Sequence, residues 1–331
     1  MLFITNSRQQ RIFMSTPRTT ITAEALFSSR ELNKMHPATY LQPEAFFEML
    51  QAEQKFITGQ QPTPTAMRQQ TSAAPLLFRG QSNHKYGLSA SLHRFMRAET
   101  DETITEGMLA QLEKSVILEM QNRGLGRGMT QGELLMLLQH HGAPTRMIDV
   151  SDRPLEALYF AVEGNDATDG RYFILTLTGE DETSLSKPTE LPWANNARGV
   201  QQSTSTWTQA VKLVEDRPLD ARMSAQRGRF LVGGVTRSYS DLNVNLDGQA
   251  LNAAELQDVS MLTIGFLKRK ANPDTSWPAL GWSIRIPAGW KARLRDLLDS
   301  EEGINHNTIY PDLSHVSWTG VDAARKELYA L

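Results

Sequence analysis

The chain has 331 residues, with 34 basic and 37 acidic side chains and a formal net charge of −3. This near balance argues against a polybasic coat for nucleic acid or for a membrane surface. The hydrophobic content of 40% is enough for a buried core, which excludes wholesale disorder. The absence of cysteine excludes disulfides, thiolate metal sites and cysteine nucleophiles.

The first part of the chain predicts an N-terminal extension over residues 1–58 and a linker over residues 59–75, which is rich in Gln, Pro and Thr. A short helix is expected around Glu24–Leu32. Pro43 is a typical first residue of a second helix, because apolar residues up to Ile57 follow at helical spacing. No apolar run approaches the roughly 18 residues of a membrane span, so we expect a cytoplasmic protein without a membrane partner.

Residues 76–331 are expected to form one domain whose first half is mainly helical. The elements predicted there are a strand at Leu76–Phe78 and helices at Ile104–Gln121, 131–140 and Pro154–Val162. The last of these helices has Pro154 at its first position, with Ser151 or Asp152 as the expected N-cap.

Strands predominate in the second half of this domain. They are predicted at Tyr172–Leu177, Arg229–Val235, Met261–Leu267 and Trp282–Ile286, and helices at Gly289–Glu302 and Val321–Leu331. The polar segment 179–209 carries Trp193 and Trp207 and predicts a lid or acceptor-contact loop. Helices early and strands late predict an α+β fold with a helical N-terminal part and late antiparallel strands.

Several common motifs are missing from the sequence. It has no P-loop, no Gly-x-Ser-x-Gly elbow and no His-Glu-x-x-His pair. Gly124 and Gly126 follow a predicted helix, which does not fit a dinucleotide fingerprint. The histidines lack metal-ligand spacing, and the adjacent His140 and His141 would point about 100° apart on a helix. We therefore expect no metal site.

Three clusters carry the strongest motif information: Phe78–Gln81, Leu138–Ala161 and Arg222–Phe230. They resemble the FRG family, named for its Phe-Arg-Gly motif, from about Leu76 to the C-terminus. In the middle cluster, the residues that match the family pattern in order are Gln139, His141, Gly142, Pro144, Thr145, Arg146, Asp149, Pro154, Ala157, Tyr159, Phe160 and Ala161. Val150 stands where the family often has Trp.

The same layout resembles that of the ADP-ribosyltransferases. That family places an arginine or histidine on its first strand, often followed by glycine, as in Arg79-Gly80. Its second motif is a strand that ends in a serine-containing sequence and leads into a helix, similar to Asp149-Val-Ser151. The third motif places a glutamate near a late strand, where this chain has Gln226.

The second resemblance implies an ADP-ribosyltransferase-like split sheet and an NAD-dependent ADP-ribosyltransferase activity, with NAD as substrate and no metal. The acceptor would be a macromolecule, either nucleic acid or protein. The FRG resemblance implies a toxin or antiviral defence effector, which would need an antitoxin or chaperone as a partner. Two alternatives stay open: an NAD glycohydrolase with water as acceptor, and a non-enzymatic module that senses a nucleotide or a partner.

Cleavage of the nicotinamide–ribose bond passes through an oxocarbenium-like transition state, so the site must stabilise positive charge at C1′. Asp149 is the candidate carboxylate, Gln226 would bind the ribose, and His141 would serve a ribose hydroxyl or act as base toward an acceptor. We expect Arg79 to share with these three residues one pocket that is large enough for a dinucleotide.

Five residues are candidates for binding NAD. The guanidinium of Arg79 suits phosphate or ribose oxygens. Gly80 would allow close approach of the backbone to the ligand. Ser151 would orient the neighbouring carboxylate or a ribose hydroxyl, and Thr145 and Arg146 complete the group.

Structural roles are the competing explanation for several of these residues. Arg79 would then be a buried ion-pair partner of Asp149 with no ligand. Arg146 would pair with Asp149 three residues on, and Gln226 would satisfy backbone groups in a bend. The two tryptophans of segment 179–209 would anchor that loop to the domain.

Overall fold

The computed structural model describes residues 19–28, 42–60, 75–100, 103–178, 182–183, 210–214, 228–235, 245–246, 249–266 and 277–310. Gln226, the helix expected at Val321–Leu331 and the segment 179–209, apart from Glu182 and Thr183, lie outside these residues. The prediction of a lid with Trp193 and Trp207 therefore stays a prediction.

Helices predominate in the described chain before residue 148, and strands predominate between residues 162 and 253. The helices are α1 (Thr19–Ser28), α2 (Pro43–Ile57), α3 (Ser91–Glu99), α4 (Glu106–Asn122), α5 (Gln131–His140), α6 (Pro154–Val162), α7 (Ala253–Val259), α8 (Lys291–Glu302) and α9 (His306–Ile309). The strands are β1 (Leu76–Gln81), β2 (Ile148–Ser151), β3 (Gly170–Leu177), β4 (Glu182–Thr183), β5 (Val211–Val214), β6 (Gly228–Gly233), β7 (Asn245–Leu246), β8 (Gln249–Ala250), β9 (Ile264–Phe266) and β10 (Ala279–Ile286).

Eight of these strands form one mixed sheet in the order β4-β5-β6-β2-β1-β3-β10-β9. The outer pairs β4–β5 and β9–β10 are parallel, and the remaining neighbours are antiparallel. The centre of the sheet is thus built from β1, β2 and β3, which come early in the chain. The α+β class is confirmed, and the predicted early strand at Leu76–Phe78 lies at the centre of the sheet beside the later strands.

Side chains of β1 alternate between two cores, as the period of a strand requires. Leu77 packs with Phe173 of β3 in a core that α1, α3 and α4 cover. Leu76 and Phe78 pack in a second core with residues of α2, α6 and α8. Helices α1 and α2 of the expected N-terminal extension therefore share the cores of the sheet that follows the linker.

Helix bounds agree best with the sequence where the apolar spacing is regular. The structure confirms the helices that begin at Pro43, Gln131 and Pro154. The N-cap of α6 is Arg153, without a side-chain cap hydrogen bond, whereas Ser151 or Asp152 was expected. Within the described residues, no helix combines the length and apolarity that a membrane crossing would require.

Candidate functional site

A cleft of about 270 Å³ opens beside the middle of the sheet. Within the described residues, β1 and β2 pair only at Phe78 and Ser151, so the two strands part beyond that point, while β2 stays paired with β6 along its length. The residues that line the cleft are Phe78, Arg79, Gly80, Gln139, His140, Asp149, Val150, Ser151, Ala157, Phe160, Gly228 and Phe230. Three neighbouring strands and helices α5 and α6 thus contribute to one concave surface.

Arg79 and Asp149 meet in this cleft, as expected. The Nη1 atom of Arg79 donates a hydrogen bond to the backbone carbonyl of Asp149 and lies 3.6 Å from its Oδ2. The Arg79 side chain is only 15% exposed, whereas that of Asp149 is 56% exposed. The ion pair that a structural role requires is therefore present, but its carboxylate faces solvent at the cleft.

Burial governs the charge state of Arg79. It lowers the pKa of the guanidinium, and the adjacent Asp149 carboxylate offsets this lowering only in part. Arginine side chains stay protonated at neutral pH in proteins. The Nε atom of Arg79 is buried without a hydrogen-bond partner in the described part of the chain. The cleft therefore contains a largely desolvated cation, which favours an anionic ligand.

A second guanidinium lies near this pair and was not predicted. Arg94, on α3, donates a hydrogen bond to the carbonyl of Ser89. Burial lowers its pKa to about 10, with a further lowering by the positive charge of Arg79 and an opposing effect of Asp149. Two cations and one carboxylate leave a positive balance around the cleft. Sequence reasoning missed Arg94 because it lies outside the three motif clusters.

Gly80 is required by the packing of the fold, and it also lines the cleft. A Cβ atom at this position would lie 2.0 Å from the carbonyl oxygen of Ala157 and 2.5 Å from the amide nitrogen of Ala161. Helix α6 therefore packs directly against the backbone of β1. The expected close approach is real, but the partner is a helix of the same chain.

Arg146 holds the interior together and does not line the cleft, so its assignment to NAD binding is wrong. Its side chain is fully buried, with Nη1 2.6 Å from Oε1 of Glu106 and Nε 2.9 Å from Oε2 of Glu113. The structural alternative expected Arg146 to pair with Asp149, and neither of these two ion pairs involves Asp149. An arginine buried between two carboxylates on α4 fixes that helix beside the start of β2.

Replacing Glu113 with glutamine should lower the free energy of unfolding by about 1–2 kcal/mol, because a buried charge-assisted hydrogen bond becomes a neutral one. Urea denaturation would measure the loss. The control is Glu119→Gln on the same helix, which removes an exposed pair with Arg123 and should change stability by less than about 0.5 kcal/mol. Equal effects of the two substitutions would contradict the structural role of Arg146.

The prediction that His141 lines the pocket is wrong by one position. His141 follows the last residue of α5, is exposed and is not among the residues that line the cleft, whereas the half-buried His140 is. Their rings contact each other edge to face at 5.4 Å. No group of three or more metal-ligating side chains occurs in the part of the chain that the structure describes.

Ser151 and Thr145 have different positions relative to the cleft. Ser151 lines it, and its hydroxyl also accepts a hydrogen bond from the amide of Arg153, which shapes the entry into α6. Thr145 is fully buried behind the cleft, and its hydroxyl donates to Oε1 of Gln139 at 2.6 Å. Gln139 in turn donates to Oδ2 of Asp149 at 2.8 Å. Thr145 therefore supports the site and does not line it.

Two aromatic rings also border the cleft. Phe160 lies on α6, and Phe230 on β6 pairs in register with Asp149. Gly228 of β6 lies opposite Ser151 and lines the same surface. Gln226, two residues before Gly228, is outside the described residues, so its expected contribution is a prediction still.

Residues 74–170 match the family model of the FRG domain. The match covers less than a third of the chain, from just before β1 to the first residue of β3, and it includes the arginine, glutamine and aspartate of the cleft. The resemblance seen farther toward the C-terminus lies outside it. Comparisons with curated proteins and with solved structures gave no match.

Proposed function

We propose that this chain, which carries an FRG domain at residues 74–170, is an NAD-dependent ADP-ribosyltransferase. The observation that carries the proposal is the meeting of Arg79 of β1, Asp149 of β2 and Gly228 of β6 in one cleft. These residues belong to or adjoin the three motifs that the resemblance singles out. The parting of β1 from β2 beyond Phe78 also supports an ADP-ribosyltransferase-like split sheet.

The charges of the cleft suit the reaction. The bond between C1′ of the ribose and the nicotinamide nitrogen breaks, and its electron pair leaves with nicotinamide as a neutral pyridine, so no general acid is needed. The cation that develops at C1′ is stabilised by the carboxylate of Asp149. The acceptor then donates a lone pair to C1′ and loses its proton to solvent. Arg79 and Arg94 supply positive charge for the pyrophosphate.

The size and walls of the cleft favour one part of NAD. About 270 Å³ lies just below the roughly 300–1,000 Å³ of pockets that enclose whole ligands. We therefore place the nicotinamide and its ribose in the cleft, with the remainder of NAD along its open side. Phe160 and Phe230 provide the aromatic surface that a nicotinamide ring would stack on.

The acceptor that we propose is a macromolecule, nucleic acid or protein, as expected of a toxin or antiviral defence effector. A second candidate function is NAD hydrolysis. The observation that favours it is the exposure of Asp149, because a carboxylate that is 56% accessible leaves room for water at the same atom.

Incubation of the full chain with NAD labelled separately in nicotinamide and adenylate would test the proposal. Release of nicotinamide with transfer of the adenylate label to protein or nucleic acid supports it. Nicotinamide release with free ADP-ribose supports the hydrolase. Absence of turnover across a range of acceptors would overturn both.

Replacing Asp149 with asparagine should lower nicotinamide release roughly 10- to 100-fold, because the amide keeps the shape but loses the charge that stabilises C1′. The matched control is Asp152→Asn, which neutralises a neighbouring carboxylate that does not line the cleft. Equal losses for the two variants would count against a role of Asp149 in the reaction.

A further inference from the structure

A continuous hydrogen-bonded chain runs from Thr145, behind the cleft, through Gln139 to Asp149, both of which line the cleft. The hydroxyl of Thr145 donates to Oε1 of Gln139 at 2.6 Å, and Nε2 of Gln139 donates to Oδ2 of Asp149 at 2.8 Å. Thr145 is itself anchored, because its amide donates to the hydroxyl of Ser91 at 3.0 Å. The half-buried amide of Gln139 thus connects a fully buried hydroxyl with an exposed carboxylate.

The protons of this chain have one consistent arrangement. The hydroxyl oxygen of Thr145 accepts a hydrogen bond from the amide of Met147 at 3.1 Å, which leaves its single proton for Gln139. The oxygen of the Gln139 amide must then face Thr145, and its NH₂ group must face Asp149. The reverse orientation would place an amide oxygen against a carboxylate oxygen, which repel each other.

The two oxygens of the Asp149 carboxylate have different surroundings. Oδ2 accepts from Gln139 and lies 3.6 Å from Nη1 of Arg79. Within the described residues, no hydrogen bond to Oδ1 is present, and the side chain is 56% exposed where it lines the cleft. One oxygen is therefore held by the protein while the other is available to a ligand.

We propose that Gln139 is a positioning residue, which holds the Asp149 carboxylate by one oxygen so that the other faces the ribose of NAD, and that Thr145 fixes the orientation of the Gln139 amide. This inference rests on the proposed function. It assigns a role to Gln139 and Thr145, two motif residues that have no part in the proposed cleavage chemistry itself. In this role Gln139 acts through Asp149 and not on the reacting atoms.

The variant that tests this most directly is Gln139→Glu. It has nearly the same shape and keeps an oxygen for the hydroxyl of Thr145, but it replaces the donor to Asp149 by a negative charge. We expect kcat for nicotinamide release to fall roughly tenfold or more, with a KM for NAD within about threefold of the wild type. The reason is that Asp149 acts on charge that develops only in the transition state.

The matched control is Gln131→Glu, the same substitution at the other end of α5, eight residues or about 12 Å along the helix. This exposed residue is not part of the cleft, so its variant should retain wild-type kcat and KM. A second pair of variants separates positioning from folding. Thr145→Val should lower kcat like Gln139→Glu, and Thr145→Ser, which keeps the hydroxyl, should restore it.

The double variant Gln139→Glu/Thr145→Val should have a kcat close to that of Gln139→Glu alone, because Thr145 acts through Gln139. Multiplicative losses would overturn that part of the inference. An unchanged kcat in Gln139→Glu, with only a lower midpoint of urea unfolding, would show that Gln139 merely joins α5 to β2.

A readout without NAD keeps this inference distinguishable from the proposed function. In protein labelled with ¹⁵N at glutamine side chains, the NH₂ resonance of Gln139 should shift in Asp149→Asn and in Thr145→Val, but not in the control Asp152→Asn, whose half-buried carboxylate does not line the cleft. A wild-type protein that does not cleave NAD overturns the proposed function and the catalytic purpose of Gln139 with it. If the wild type cleaves NAD but the Gln139 resonance does not shift in either variant, only the positioning role is overturned.

Discussion

Replacing Gly80 with alanine should destabilise the fold by about 3 kcal/mol or more. The added Cβ would lie 2.0 Å from one backbone atom of α6 and 2.5 Å from another, at Ala157 and Ala161. Neither is the end of a flexible side chain, so the whole helix would have to move away from β1. Because α6 contributes Leu155 and Leu158 to the core beneath it, that movement would open apolar contacts as well. Urea denaturation monitored by circular dichroism would measure the loss.

The control is Gly289→Ala, where an added Cβ meets no atom within 4 Å. That substitution should change the free energy of unfolding by less than about 1 kcal/mol and could raise it, because alanine restricts the unfolded chain more than glycine does. If Gly80→Ala unfolds at the same urea concentration as the wild type, the close packing of α6 on β1 is wrong.

Regular apolar spacing explains why α2, α5 and α6 could be predicted from the sequence. Helix α5 also has a local start signal, since Thr130 and Glu133 exchange hydrogen bonds as a capping box. Each of these signals lies within a few residues of the element that it specifies. No tertiary contact is needed to interpret them.

Helices α3 and α7 were missed because polar residues face their interior sides. Arg97 of α3 and Asp258 of α7 form a buried, two-bonded ion pair, with N–O distances of 2.9 and 3.1 Å. Beside them, His93 is fully buried, and burial lowers its pKa to about 3. These residues look like surface positions in a sequence, since their partners are more than 150 positions away. Only the fold brings the two helices together and satisfies their charges.

The same distinction separates the candidate residues that the structure brings together in the cleft from those that it places elsewhere. The convergence of Arg79 and Asp149 followed from motifs that adjoin strand ends. Arg146 lies in the same motif, but its carboxylate partners come from α4, 33 and 40 residues before it. An arginine that binds a ligand and one that is buried between two glutamates have the same appearance in a motif. His140 is the last residue of α5 and His141 follows it, so which of the two faces the cleft depends on where the helix ends. Apolar spacing does not fix that position.

Substitutions of Arg79 should have the largest effect on ligand binding. Arg79→Ala removes the guanidinium that is held in the cleft beside Asp149. A charged hydrogen-bonded contact with a phosphate or ribose oxygen is worth on the order of 2–4 kcal/mol, so NAD binding or turnover should fall roughly 30- to 1,000-fold. Arg79→Lys should recover only part of this loss, because an ammonium keeps the charge but not the planar fork of donors. Isothermal titration with NAD and steady-state release of nicotinamide would measure both variants.

The structural explanation of Arg79 predicts a different result, since its guanidinium also donates to the Asp149 carbonyl between β1 and β2. A residue that only joins the two strands would lower the unfolding temperature when replaced, and the folded fraction would still bind NAD with wild-type affinity. The control is Arg285→Ala on β10, which removes an Arg–Asp pair with a 2.6 Å contact to Asp169, the residue before β3. Arg285 does not line the cleft, so this variant should reproduce any general cost of losing such a pair without loss of NAD binding. Loss of affinity in Arg79→Ala alone, at an unfolding temperature similar to that of Arg285→Ala, would assign Arg79 to the ligand.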